Sequence, residues 1–296
     1  MATVSRRNML QGVMSALSLV AVAPSALAQD PHVPTADRQP YFYRDDWLGE
    51  PWRKPEAALL IHGDEESSLA WYAWVPRMAQ QFRLIRPDLP GLGRAAIPAG
   101  LDASLPGLAR YIASVMDKAG VASAHIVGAK TGGSIAMQFG ADFPSRTRTL
   151  SVASGPASVI RMSGMANVSE RKDIAGVSTV PQRDRLGAHA SQEMVDYWGH
   201  MFDTAPTDGI RILRTALAHF DLAKEGVLQR IKAPTLVMTS DRGGLQSVEK
   251  ARTYQLLIPN SRFLVLQSDA YHIAAANPDE CVTNVLAFIR DVEQKT

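Results

Sequence analysis

The chain has 296 residues, 46% of them apolar, enough to bury one large core and to exclude a disordered chain. Its formal charge is +2, from 31 basic and 29 acidic residues, and Arg6 and Arg7 supply the whole excess, which excludes a basic nucleic-acid-binding face as the source of the charge. The single Cys281 excludes an internal disulfide.

Residues 1–28 read as an export signal. Ser5-Arg6-Arg7-Asn8-Met9-Leu10 resembles a twin-arginine motif, an apolar stretch covers 13–23, and Ala26-Leu27-Ala28 fits a small-residue cleavage site. The stretch is too short to span a bilayer permanently. The reading implies a mature chain over 29–296, with no stable membrane anchor after signal removal, working in the periplasm or outside the cell. Residues 29–40, rich in proline and polar groups, predict an extended arm.

Past this arm, strand and helix patterns alternate. Residues 57–61 predict a short strand, 69–81 a helix and 83–86 a strand end. Residues 105–119 have helical spacing, with Leu108, Ile112, Val115 and Met116 on one side. Residues 124–127 predict a strand and 132–142 a helix; 150–153, 235–238 and 263–266 predict further buried strands, and 278–292 a final helix. The alternation predicts an α/β fold with a mostly parallel sheet covered by helices on both faces. The interval from about 156 to 208 breaks the rhythm and is too long for an ordinary loop. Its apolar residues, Met194, Val195, Tyr197, Trp198, Met201 and Phe202, predict a helical lid inserted into the 29–296 domain. No internal repeat and no Cys/His cluster with metal-ligand spacing occurs, so neither a metal nor a cofactor is expected.

The most informative segment is Gly128-Ala129-Lys130-Thr131-Gly132, between a predicted strand and a predicted helix. It has the layout of the nucleophile elbow G-x-S-x-G, with lysine at the tip where a serine is expected. A lysine attacking an ester gives an amide, which hydrolyses far less readily than an acyl-serine ester. Lys130 is therefore expected to form a Schiff base with a ketone or aldehyde, to act as a base, or to hold a substrate by its charge. Burial and the helix N-terminus favour a neutral amine there. Asp64-Glu65-Glu66, if one of them turns inward, favours an ion pair instead; three acids pointing to solvent would leave the amine alone.

From residue 41 onward the chain resembles the α/β-hydrolase superfamily. His62-Gly63 after a strand is similar to its oxyanion-loop motif, with Trp71 downstream of Ser67-Ser68, and Pro87-Asp88-Leu89-Pro90-Gly91-Leu92-Gly93-Arg94 is similar to its P-D-L-x-G-x-G-x-S turn, with Arg94 in the serine position. Asp241 follows a strand, and His272 lies shortly before Asn277-Pro278. The closest likeness is to the lidded branch of esterases, enol-lactonases and carbon–carbon bond hydrolases. The resemblance implies a catalytic order of Lys130, Asp241 and His272, with Asp241 steadying His272. Asp269, three residues from His272 on one loop, is the weaker candidate for the acid. Gly63, Asp64 and Thr131 are expected around the oxyanion position and Trp198 at the substrate. His62 and His125 read as structural histidines.

Three functions stay open at this level. One is an enzyme that cleaves an ester, lactone or C–C bond of a small apolar carbonyl compound with Lys130, Asp241 and His272. The second is a lyase or cofactor-free enzyme that relies on the His–Asp pair. The third is a periplasmic small-molecule binding protein without turnover.

Overall fold

The structure is a computed structural model that describes residues 37–158, 180–244 and 246–295. The expected export signal, and Met162 and Met165 of the inserted segment, lie outside the described residues.

Among the described residues seven strands form one sheet: β1 (Tyr43–Asp46), β2 (Ala57–Ile61), β3 (Arg83–Pro87), β4 (Ala124–Ala129), β5 (Thr147–Ala153), β6 (Thr235–Ser240) and β7 (Ser261–Leu266). Their spatial order is β1-β3-β2-β4-β5-β6-β7. Every neighbouring pair is parallel except β1 with β3. The helices are α1 (Val75–Met78), α2 (Leu105–Lys118), α3 (Thr131–Asp142), α4 (Gln182–Leu186), α5 (Gln192–Asp203), α6 (Thr207–Leu217), α7 (Val248–Gln255), α8 (Ile273–Ala276) and α9 (Pro278–Glu293). A mostly parallel sheet flanked by helices is the α/β architecture expected.

Side chains alternate across a strand, and both faces of the sheet are dry at its central strands β2, β4, β5 and β6. Leu59 and Ile61 of β2 face one core with Leu108 and Ile112 of α2 and Phe139 of α3. Ala58 and Leu60 face the other, with Trp74, Met78, Val285 and Ile289. Each fully buried leucine or isoleucine contributes about 1.5–3 kcal/mol, so a strand such as β2, buried along its length, is fixed in register. α2 starts where Ser104 Oγ accepts the Gly107 N–H.

Three elements differ from expectation. The strand over 263–266, expected to be buried, is part of the edge strand β7, in which Phe263 and Leu264 are half-buried and Val265 is exposed, because among the described residues no further strand covers that edge. The single helix over 69–81 is a 3-10 turn (Ser68–Trp71) followed by α1. Pro76 is the reason: it has no N–H to give, and its ring would clash with the carbonyl one turn back. The edge strand β1 was not legible because Tyr-Arg-Asp-Asp carries no apolar alternation. It is held instead by backbone pairing to β3 and by ion pairs from Arg83 to Asp45 and Arg86 to Asp46.

The order of the strands positions the site. The loops after β2, β4, β6 and β7 all leave the same edge of the sheet, as ligand-binding loops of parallel sheets do. Between β5 and β6 the described part of the insertion carries α4, α5 and α6, and α6 runs on to Leu217. Among the described residues no helix is long and apolar enough to cross a membrane.

Candidate active site

Lys130 sits at the tip of the turn between β4 and α3 with φ 52° and ψ −127°. A non-glycine residue there is strained by roughly 1–3 kcal/mol. Its N–H donates to Ala153 O at 3.0 Å and its carbonyl accepts from Gly133 N at 2.9 Å, which holds the conformation. The flanking glycines are required. A Cβ at Gly128 would lie 2.4 Å from Gly132 O, and one at Gly132 would lie 2.3 Å from the carbonyl oxygens of Ile61 and His62.

The lysine side chain is 1% exposed. Its Nζ donates to Glu66 Oε1 at 2.5 Å and lies 3.8 Å from Asp64 Oδ1. It also stands 4.7 Å from the centre of the Phe202 ring, over which the Arg185 guanidinium stacks as well. The acidic run therefore turns inward. Glu66 Oε2 accepts the Gly63 N–H at 2.9 Å. Asp64 and Glu65 share Arg214, at 3.1 and 3.3 Å. Glu65 itself has φ 59°, the backbone turn that lets its two neighbours point to the same side.

His272 ends the loop after β7. Its Nε2 lies 3.0 Å from Glu66 Oε1, an ion-pair distance, but the ring is not aimed for a well-formed hydrogen bond, and its Nδ1 has no partner among the described residues. The ring is braced by Trp198 of α5, edge-on at 4.8 Å between centres. Its backbone N–H donates to Arg185 O at 2.9 Å.

The expected acid is corrected here. Asp241 does not orient His272: its Oδ1 accepts the Ser268 N–H at 2.8 Å, its other neighbour is Arg242, and its side chain is 39% exposed. The Asp241 side chain closes its own loop instead of crossing to the ring. Asp269 caps Ala188 N and does not reach it either. The carboxylate that faces His272 is Glu66. Thr131 and Asp64 come together, but on each other: Asp64 N–H donates to Thr131 Oγ1 at 2.7 Å, and the hydroxyl donates back to Asp64 Oδ1 at 3.3 Å. Gly63 gives its N–H to Glu66. Trp198 is fully buried, and its Nε1 has no partner among the described residues. His62 is structural: Nδ1–H donates to Gly63 O, and Nε2 accepts from Leu89 N.

Burial alone would push the Glu66 carboxyl up, but Lys130 and His272 beside it win and hold it below the ordinary range. Burial is the main cause that pushes His272 down, partly offset by Glu66 and assisted by Lys130 and Arg185. Burial and the adjoining Asp64 push Glu65 up, against Arg214; Asp64, also buried, is drawn down by Lys130, Arg214 and Arg185.

These directions set an acid limit to stability. The unfolded chain takes up a proton at His272 below its ordinary value of 6.5, whereas the folded chain resists it. Glu66 likewise stays ionised in the fold below its ordinary 4.5. Both contributions are present above those values and are lost as the pH falls. Urea midpoints should therefore be lower at about pH 5 than at about pH 7.5. The loss should shrink, not vanish, in His272→Gln, because buried His62 is also depressed.

Sequence reasoning missed Phe202 as a partner of Lys130, Arg185 as the brace of His272, and Arg214 as the counter-charge of Asp64. Only the acidic run signalled that a partner for Lys130 was at hand.

Comparison with known proteins agrees with this fold. A family model described as alpha/beta hydrolase fold matches residues 58–207. The chain is 25% identical over 252 residues to a pimeloyl-acyl-carrier-protein methyl ester esterase of Aeromonas hydrophila, spanning 78% of this chain and 94% of that protein. Among solved structures it is similar to Est816, an N-acyl homoserine lactone degrading enzyme, with TM-score 0.72, 21% identity and coverage of 84% of this chain and 96% of that one. It is also similar to the enol-lactonase of Burkholderia xenovorans LB400, with TM-score 0.68, 18% identity and coverage of 84% and 96%. The two structural likenesses bear on the fold alone.

Proposed function

The chain belongs to the alpha/beta hydrolase fold family, and from that premise we propose that it is an enzyme that cleaves a small apolar carbonyl compound with His272 as the base and Lys130 as a positioning charge. A hydrolase is the class that its relatives support. The observation that carries the finer reading is the shared oxygen: Glu66 Oε1 lies 2.5 Å from Lys130 Nζ and 3.0 Å from His272 Nε2.

A lysine ion-paired with a carboxylate at that distance is an ammonium, which has no lone pair for attack. The acyl-lysine route also ends in an amide. What the ammonium can do is hold an oxygen of the bound substrate by a charge-assisted hydrogen bond and so set its position. His272, kept neutral by burial, is suited to take a proton from water or from the substrate. Glu66 balances the ammonium and steadies the imidazolium that forms when His272 takes up the proton. Among the described residues the buried Nδ1 of His272 and Nε1 of Trp198 have no partner; such groups cost about 1–3 kcal/mol each when left alone, so a bound carbonyl compound that meets them gains affinity. Met201, Phe202 and Tyr271 supply buried apolar surface nearby. The export reading of residues 1–28 belongs to the same proposal and puts the enzyme outside the cytoplasm.

Lys130→Met is expected to raise KM about 10- to 100-fold, the worth of a hydrogen bond to a charged group, while kcat stays measurable on a panel of esters, lactones and diketones. Borohydride added during turnover should leave no adduct on Lys130. A reduced imine mapped to Lys130 by mass spectrometry would sink the positioning role and make the amine a nucleophile.

A second reading, a small-molecule binder without turnover, draws on one feature: the Asp64 N–H that should serve an oxyanion is already spent on Thr131. A ligand recovered intact after long incubation, with no rate across the panel, would favour it.

A further inference from the structure

At the opposite edge of the sheet from Lys130, three side chains from separate elements converge. Glu56 precedes β2, His125 is the second residue of β4, and Glu293 ends α9. His125 Nε2 lies 3.2 Å from Glu56 Oε2 and 3.5 Å from Glu293 Oε1, and one ligand atom from each of the three fits within 4.8 Å of the others. From this geometry we infer that Glu56, His125 and Glu293 form a binding site for one divalent transition-metal ion, Zn2+ in the first place.

The spacing suits the ion. Tetrahedral zinc with bonds of about 2.0–2.1 Å to imidazole nitrogen and carboxylate oxygen sets neighbouring ligand atoms roughly 3.3 Å apart. Both distances to His125 Nε2 lie close to that. In the absence of an ion a proton fills that place, as the hydrogen-bond contact of His125 Nε2 with Glu56 Oε2 records, and zinc displaces that proton; an imidazole with two carboxylates is a donor set that zinc accepts.

The outer partners are also in place. His125 is 1% exposed, and its Nδ1 is 2.9 Å from Thr149 Oγ1, so its other nitrogen is turned to the carboxylates. Arg148 holds Glu56 Oε1 at 2.6 Å and leaves Oε2 to the site. The backbone is rigid here: Ala58 and His125 are paired in the sheet, and Glu56 O accepts the Arg83 N–H. Glu293 stands at the C-terminal end of a 16-residue helix, where the helix dipole favours a cation. Glu56 and Glu293 also line an open groove of about 1200 Å3, with Trp52, Phe82 and Arg148, through which the ion and a fourth, water ligand can enter.

The chain order hides this site. Glu56, His125 and Glu293 are too far apart in sequence for any ligand-spacing pattern, and His125 alone reads as a core histidine.

The test is calorimetric titration of the full chain with zinc chloride after chelator treatment, beside the Glu56→Gln/Glu293→Gln double variant. Both glutamates are about half exposed, so the variant keeps its core, and circular dichroism checks that. The wild type should bind one ion per chain. The variant should lose more than about 100-fold in affinity, since changing even an outer partner of a ligand costs about 10- to 100-fold. A wild type that takes up no zinc overturns the site, and so does a variant whose affinity falls by less than about tenfold. The latter result would assign the ion to other histidines.

Discussion

Glu66→Ala should lower the free energy of unfolding by about 3–5 kcal/mol, because it leaves a buried ammonium without its counter-charge. Lys130 is 1% exposed, Glu66 2%. After the change the nearest carboxylate is Asp64 at 3.8 Å, already engaged with Arg214. The Gly63 N–H also loses its acceptor, and the residual gap between the elbow and His272 adds to the loss. Urea unfolding of the wild type, Glu66→Ala, Lys130→Met and the Glu66→Leu/Lys130→Met double variant measures it. The double variant should recover most of the loss, since replacing both members of a buried pair by apolar groups is often close to neutral. If Glu66→Ala unfolds within about 1 kcal/mol of the wild type, the pair is not the buried ion pair described here.

His272→Ala should lower kcat on any substrate the enzyme turns over by about 100- to 10,000-fold, the range spanned by a positioned acid–base group. Asp241→Asn should cost far less, within about threefold, because its carboxylate serves the Ser268 N–H and not the imidazole. The ratio of the two effects separates this site from a Lys–Asp–His triad, in which loss of the acid would approach loss of the base. Steady-state rates of the two variants and the wild type at one pH near neutrality give the answer; equal losses would restore Asp241 to the catalytic group.

The elbow and its lysine were legible because local chemistry dictates them. An apolar strand, glycines at 128 and 132 and a small-residue helix admit few backbone paths. The position of His272 was legible for a similar reason: it lies on the loop that leaves β7 before Asn277-Pro278. The direction of a loop side chain is a different matter. Asp241 stands after β6 as expected, but an N–H on the neighbouring loop captures its carboxylate, and no local pattern encodes that choice. The acidic run was visible and its orientation was not, since the turn at Glu65 decides which acids face inward. Arg214 lies 149 residues from Glu65, and Phe202 and Arg185 come from the insertion. Such partners are chosen by packing, which sequence periodicity does not report. The polar edge strand β1 escaped notice because an edge pairs by backbone and ion pairs and needs no apolar alternation.

The tight turn at residue 130 has one more consequence. Its shape comes from two glycines that admit no Cβ, the hydrogen bond to Ala153 and the helix that follows. The lysine side chain makes no capping bond and contributes nothing to the turn. The backbone is thus a socket that presents whichever side chain occupies it to the same point in space. An exchange there, made together with one at Glu66 so that no buried charge is left alone, changes the chemical tool without rebuilding its mount, and at such a position inheritance of a fold says least about inheritance of a reaction.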